Sequence, residues 1–270
     1  MTAPDPRLLA AAIEVVTHAG HIQRAKFGSA IKIDKKGAID LVTEVDLEIE
    51  QAARAMIGAR FPDHDILAEE LGGGPVGASH RWVFDPLDGT TNFAHGVPIF
   101  CSSLALEIDG EAVVGAVFDP NRQELFTAER GLGAWLNGAP LRVSTSATLI
   151  DSVLVTGFPY DVHSTLEDVI GLFAAFVAES RAIRRLGSAA IDLCWVAAGR
   201  MDGFWEERLQ PWDTRAGALL VAEAGGRVTG LDGESWLPGA GHVLASNGCV
   251  HDEMLRVVAA FRNRRRNKTP

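Results

Sequence analysis

The stretch best equipped for chemistry is Trp82-Val83-Phe84-Asp85-Pro86-Leu87-Asp88-Gly89-Thr90-Thr91-Asn92-Phe93, where an apolar run ends in two acids and a Gly-Thr step. Pro86 lacks the N–H that a strand ladder uses, so Asp85 is expected at the end of a strand. Asp88 is then expected to cap a following helix, whose free N–H groups at Gly89 and Thr90 make a cradle for an anion. Carboxylates beside an anion would repel it, and a bridging cation resolves that conflict. Asp-Pro and Asp-Gly also occur as ordinary turn dipeptides, so this spacing alone leaves both readings open. Glu69-Glu70 follow Ile66-Leu67-Ala68, a carboxylate pair just past a short strand that by itself also reads as a solvated loop. Asp213 opens the stretch from Trp212 to Gly226, in which small residues permit close packing and glycines end a helix. Alone, Asp213 is a helix cap.

The elements that must position these acids follow from periodicity. From Arg7 to Phe27 the residues Leu8, Leu9, Ala12, Ile13, Val16, Ala19 and Ile22 recur at helical spacing and predict an amphipathic helix. Thr43-Glu44-Val45-Asp46 has the shape of a capping box, so a second helix begins near Thr43 with Asp46 in its first turn. Phe100 to Ile108 and Ala112 to Phe118 flank Asp109-Gly110, and Asn137-Gly138 joins two shorter runs, which predicts antiparallel hairpins. After Ser152 the pattern alternates: strand near Val153, helix within Thr165 to Glu179, strand at Ala182, helix from Ser188 to Ala198, strand at Gly203. Two subdomains meeting near residue 150 are expected, 1–150 carrying most acids and 151–261 the rest. Gly72-Gly73-Gly74-Pro75 reads as a surface loop, and residues 262–270 as a frayed tail.

Composition excludes several classes. Of the 270 residues 47% are hydrophobic, enough for a large core and too many for a disordered chain. The net charge is −10, and the tail from Arg262 carries five bases and no acid, so the remainder is more acidic still. Such a body repels nucleic acid, and it repels phosphate esters too unless cations invert the local field. Cys101, Cys194 and Cys249 show neither disulfide nor zinc spacing, which suits a reducing cytoplasm, and no apolar run is long enough to span a membrane. Cys194 to Arg200 matches the spacing of cysteine-dependent phosphatases, but its neighbours Ala189, Leu193, Val196 and Ala197 read as an apolar helix. The aspartyl-phosphatase pattern spaces its acids by two, unlike Asp85 and Asp88. None of the eight histidines forms a ligand set; His18 and His21 merely share a helix face.

Taken together, Asp85-Pro86-Leu87-Asp88-Gly89-Thr90 and Trp212-Asp213 through Gly226 resemble both signatures of the inositol monophosphatase family of magnesium-dependent, lithium-sensitive sugar phosphatases. The likeness runs along essentially the whole chain. It implies a layered αβαβα sandwich, a homodimer, and a small phosphate ester as substrate, with membrane and nucleic-acid partners not expected. By motif, Glu69, Asp85, Asp88 and Asp213 would bind metal through carboxylates and Leu87 through its carbonyl, while Asp46 and Thr90 would orient the attacking water. Glu70 and Lys35 would assist, Lys36 being a close competitor of Lys35 for the family's mobile-loop lysine. Gly187, Ser188, Ala189 and Glu206 resemble the positions that contact the alcohol half, beside Asp88, Gly89, Thr90 and Asp213.

The resemblance also implies two or three Mg²⁺, with Mn²⁺ as a substitute. Four carboxylates at ~5 Å would repel by ~3 kcal/mol per pair at an effective dielectric of 20, approaching ~20 kcal/mol in all, which demands protonation or cations. Oxygen-only ligands favour Mg²⁺ or Mn²⁺ over zinc. Inositol 1-phosphate is the first expected substrate, histidinol phosphate the second, with fructose 1,6-bisphosphate and 3′-phosphoadenosine phosphates behind. A phosphatase-fold regulator of RNA or of a protein is the non-enzymatic alternative. The chain departs from the family pattern at Ala68 and at Arg215, the latter expected to add a charge beside the site.

Overall fold

A computed structural model describes residues 5–37, 39–73, 78–237, 239 and 241–266. In chain order the elements are α1 (Pro6–Lys26), β1 (Ile33–Lys35), β2 (Leu41–Thr43), α2 (Glu44–Arg60), β3 (Asp65–Ala68), β4 (His80–Asp88), α3 (Thr90–Ala94), β5 (Cys101–Ile108), β6 (Glu111–Asp119), β7 (Glu124–Glu129), β8 (Gly133–Leu136) and β9 (Ala139–Pro140). They continue with β10 (Val153–Thr156), α4 (Leu166–Val177), β11 (Ala182–Arg184), α5 (Ala189–Ala197), β12 (Gly203–Glu207), α6 (Pro211–Glu223), β13 (Arg227–Thr229), β14 (His242–Ser246) and α7 (His251–Arg266).

The helices start where their caps dictate. Asp5 accepts from the Arg7 amide and Pro6 opens α1, since a proline at the first position wastes no hydrogen bond. Thr43 and Asp46 close a reciprocal capping box at α2. The hairpin turns hold left-handed pairs, Asp109 (φ 51°) with Gly110 (φ 83°) and Asn137 (φ 49°) with Gly138 (φ 80°), the twist-matched type that antiparallel strands favour.

Strands β3 to β9 form a seven-stranded sheet in sequential order, antiparallel except for the parallel pair β3 and β4. A second sheet of five strands runs β11-β10-β12-β14-β13, parallel about β10 and antiparallel about β14. Alternation along the strands builds the layers. On one face of the larger sheet Leu104 and Leu106 pack with Val16 of α1 and Ile49 of α2, while Ala105 and Val117 on the other face pack with Ile191 of α5 and Leu220 of α6. Val155, Phe204 and Ala245 of the smaller sheet close on that same middle helical layer. Its outer face, with Leu154, Trp205 and Leu244, meets Phe176 of α4 and Val258 of α7. The result is the expected αβαβα sandwich, and α5 and α6 form its shared central layer.

Two local expectations need correction. Strand β4 does not end at Asp85: it continues to Asp88 across a bulge, where Asp85 pairs with Ser103 and Asp88 with Cys101. The bulge frees the Pro86 carbonyl, which accepts from Gln23 Nε2 and from Ser102 Oγ, both at 2.8 Å. Nor do Arg262 to Arg266 fray, because they form the last turn of α7. Arg262 pairs with Glu207 and Asp232 and Arg265 with Asp168, and cations suit a helix C-terminus. Residues 267–270, and Gly74-Pro75 of the glycine loop, lie outside the described residues.

Candidate metal and phosphate site

The acids converge because three separate elements end at one cavity of about 540 Å³. The β4 bulge contributes Asp85, Leu87 and Asp88, the turn after β3 contributes Glu69, and the first turn of α6 contributes Asp213. Gly89, Thr90, Gly187, Ser188, Ala189 and Glu206 line the same cavity, as does Lys36. Asp46, Glu70 and Lys35 do not line it.

Each acid is held by a local device. Asp85 Oδ1 accepts from the Leu87 amide at 3.0 Å, an Asx turn inside the bulge. Asp213 Oδ2 accepts from the Gln210 amide at 2.6 Å, completing the α6 capping box. Asp88 behaves differently from expectation. It leaves α3 uncapped, with Gly89 at φ 97° as the N-cap residue, and instead reaches α5, taking hydrogen bonds from Ser188 Oγ (2.6 Å) and the Ala190 amide (2.7 Å). A carboxylate at the N-terminus of α5 complements the helix dipole. The sequence offered no local sign of this, because the partners stand about a hundred residues apart.

Asp46 Oδ2 accepts from the Thr43 amide (2.8 Å) and hydroxyl (2.6 Å), which leaves Oδ1 facing the Thr90 hydroxyl at 3.3 Å. The lysine expectation needs correction. Lys35 pairs with Leu41 in the exposed hairpin, whereas Lys36, one residue past the strand, places its ammonium 2.7 Å from Glu69 Oε1 and against Glu70 Oε1. Lys36 lies in the bend just past β1 rather than on the strand, and that decides between them. Glu70 thus contacts Lys36, which lines the cavity.

Arg215 also departs from expectation. It points away from the cavity, its Nε 2.6 Å from Glu107 Oε1 on β5, with its guanidinium over the Trp236 ring. Sequence reading missed Glu50, wholly buried on α2, whose carboxylate accepts from Arg54 and from the Glu70 (2.9 Å) and Leu71 (3.1 Å) amides and so fixes the acidic turn. The i,i+4 pair with Arg54 was the available signal. It also missed Gln23 beneath the bulge and Arg185 on the cavity wall.

The electrostatics disfavour full ionisation of these acids without a counter-charge. Burial pushes Asp85 and Asp213 well above the usual carboxylate range, and neighbouring acids push them further, Glu69 first for Asp85 and Asp88 first for Asp213. Burial raises Asp88 to about 6 against the lowering effect of its Ser188 bond, Asp46 to about 6, and Glu70 to about 7. Groups that disfavour each other's ionisation are stabilised together by a divalent cation, and their all-oxygen chemistry fits magnesium. Among the described residues no three acids are already gathered as a tight coordination shell. Cys194 is buried in α5, which leaves the thiolate reading without support.

The sequence matches the inositol monophosphatase family over residues 5–265. It is 47% identical over 251 residues to an inositol-1-monophosphatase from Synechocystis, covering 92% of this chain and 88% of that one. It is also 47% identical over 222 residues to the Nus factor SuhB of Pseudomonas aeruginosa, covering 80% and 82%. Among solved structures, the inositol monophosphatase from Anabaena superposes with a TM-score of 0.86 at 40% identity, covering 94% of this chain and 96% of that one. A phosphatase-type arrangement of acids on this sandwich, matched along nearly its whole length, makes the chain a member of the inositol monophosphatase family.

Proposed function

We propose that the protein is a magnesium-dependent phosphomonoesterase that releases inorganic phosphate from myo-inositol 1-phosphate, with water as the nucleophile. The observation that carries this reading is the Asp46–Thr90 contact beside buried acids that raise one another's pKa in a single cavity. Glu69, Asp85, Asp88 and Asp213 would hold the ions, with the Leu87 carbonyl. When bound, magnesium supplies Lewis acidity that acidifies water and offsets the phosphate's charge.

The chain's own residues do the rest. Asp46 Oδ1 and the Thr90 hydroxyl orient the attacking water and take up its proton toward Asp46. The Gly89 and Thr90 amides, at the start of α3, would donate to the phosphoryl oxygens. Glu206 accepts a hydroxyl of the alcohol half. No covalent phosphoenzyme is needed. The same reading carries lithium inhibition, a homodimer and a cytoplasmic setting; among the described residues no helix is long and apolar enough to cross a membrane.

Phosphate release from inositol 1-phosphate, histidinol phosphate, fructose 1,6-bisphosphate and 3′-phosphoadenosine phosphate, assayed with Mg²⁺ or Mn²⁺, tests the reading. Inositol phosphate should be cleaved best, and a folded protein that cleaves none sinks the assignment. The relative named as a Nus factor favours a second reading, a regulator that binds RNA or a protein partner through the basic end of α7. Replacing Arg264 and Arg266 with Ala separates the two: lost partner binding with unchanged hydrolysis supports the regulator.

A further inference from the structure

Gln23 plays no part in the reaction just described. It is fully buried on α1, the helix that covers the face of the larger sheet opposite α5 and α6. Its Nε2 stands 2.8 Å from the Pro86 carbonyl, 3.1 Å from the Cys101 carbonyl and 2.8 Å from Ser102 Oγ. These acceptors span the β4 bulge, where Pro86 and Leu87 oppose the single residue Ser102. Proline contributes no N–H there, so the side-chain amide brings its two hydrogens to the place where the ladder breaks. Two carbonyl oxygens admit only the NH₂ end of that amide. Its Oε1 therefore faces elsewhere and meets no donor among the described residues. A buried acceptor without a donor is costly, and an apolar residue on this face of α1 would avoid the cost. What offsets it lies at the other end of the amide, in the bulge. Pro86 turns its carbonyl toward α1, while Asp85, Leu87 and Asp88 around it line the cavity. Cys101, whose carbonyl Gln23 also holds, rests its thiol 3.8 Å from Asp88 Oδ2.

We propose that Gln23 is a positioning residue for the metal ligands: its amide pins the β4 bulge from behind and so sets the Leu87 carbonyl and the Asp85 and Asp88 carboxylates at the spacing that magnesium binds. The proposal rests on the metal-dependent hydrolase reading above and deepens it. Magnesium demands near-octahedral geometry, so small shifts of these oxygens cost affinity. Without the Nε2 donors, the Pro86 and Cys101 carbonyls face an apolar side chain, and the bulge is free to shift while the rest of the sheet stays paired.

The test titrates wild type, Gln23→Met and Gln23→Leu with Mg²⁺ by calorimetry, in the absence of substrate. Both variants remove the donors and keep an apolar side chain of similar bulk. Val16→Ala, on the same helix and in the same buried layer, controls for lost packing. The Gln23 variants should raise the Kd for Mg²⁺ by about 10- to 100-fold, and Val16→Ala should leave it within about twofold. An unchanged Kd in the Gln23 variants, or an equal rise in Val16→Ala, overturns the proposal. Melting curves in EDTA and in Mg²⁺ give a second reading: the ion should lift the Tm of wild type and of Val16→Ala more than that of either Gln23 variant, and equal lifts overturn it. Should neither Gln23 variant fold, Ser102→Ala removes only the hydroxyl that Gln23 and the Pro86 carbonyl share. Its Kd should then rise by about threefold or more, and an unchanged value is equally fatal. A wild type that binds no Mg²⁺ sinks the magnesium reading itself, and the proposal with it.

Discussion

The Thr90 hydroxyl stands 3.3 Å from Asp46 Oδ1 although 44 residues separate them, and it also reaches the Leu87 carbonyl at 2.9 Å. One threonine thus links the cap of α2 to the β4 bulge. Thr90→Val and Asp46→Asn should each lower kcat by about 10²- to 10⁴-fold with little change in KM, the usual range for losing a proton-handling group. Thr90→Ser should recover most activity. Steady-state kinetics decide, and near-wild-type turnover in Thr90→Val would remove the pair from the mechanism.

Asp88 is tied to α5 by two hydrogen bonds that an amide oxygen can still accept. Asp88→Asn should therefore fold, lose several decades of turnover and bind magnesium more weakly. In wild type, magnesium at about 100 times its Kd should add ~2.7 kcal/mol of stability, and EDTA should remove it. Melting curves with and without the ion read both effects, and equal shifts in wild type and variant count against a ligand role.

Lys36 neutralises Glu69 and Glu70, whereas Lys35 lies on an exposed strand. Lys36→Met removes a cation that competes with magnesium and should lower the magnesium concentration for half-maximal activity several-fold. Lys35→Met should leave it within about twofold. Titrating both variants with Mg²⁺ checks this, and matching responses would reject the assignment.

His251 is buried between Thr229 and Ser246, and burial lowers its pKa to about 4. Its folded pKa lies below the unfolded value of 6.5, so the unfolded chain binds the proton first. The stability it contributes is present above pH 6.5 and is lost as pH falls toward 4, on the order of 1–3 kcal/mol. Urea unfolding across that window should show the slope, and His251→Gln should flatten it. An unchanged slope in the variant would assign it elsewhere.

Gly89 adopts φ 97° between Asp88 and Thr90, and a Cβ there would lie 2.9 Å from the Ile99 carbonyl oxygen. Gly89→Ala combines left-handed strain with a backbone clash and should cost about 1–3 kcal/mol. Activity should fall beyond what stability explains, since both neighbours line the cavity. Denaturant midpoints and kcat measured together test this; a variant unchanged in both would show that the turn tolerates a side chain.

Local chemistry was legible from the residues themselves. The Thr43–Asp46 box, Pro6 after Asp5, and the Asp-Gly and Asn-Gly hairpins depend on neighbours a few bonds apart, so their geometry is set before the chain folds. The acids at 69, 85, 88 and 213 could be named, and the alternating patterns announced layered sheets. What the tertiary structure alone decided was direction. Lys36 rather than Lys35 meets Glu69 because the hairpin ends where it does, and Asp88 caps α5 because the middle layer brings Ser188 beneath the bulge. Arg215 turns toward Glu107. Sequence spacing specifies which groups exist and their local conformation; packing between distant segments chooses the face each side chain shows and the partner it meets.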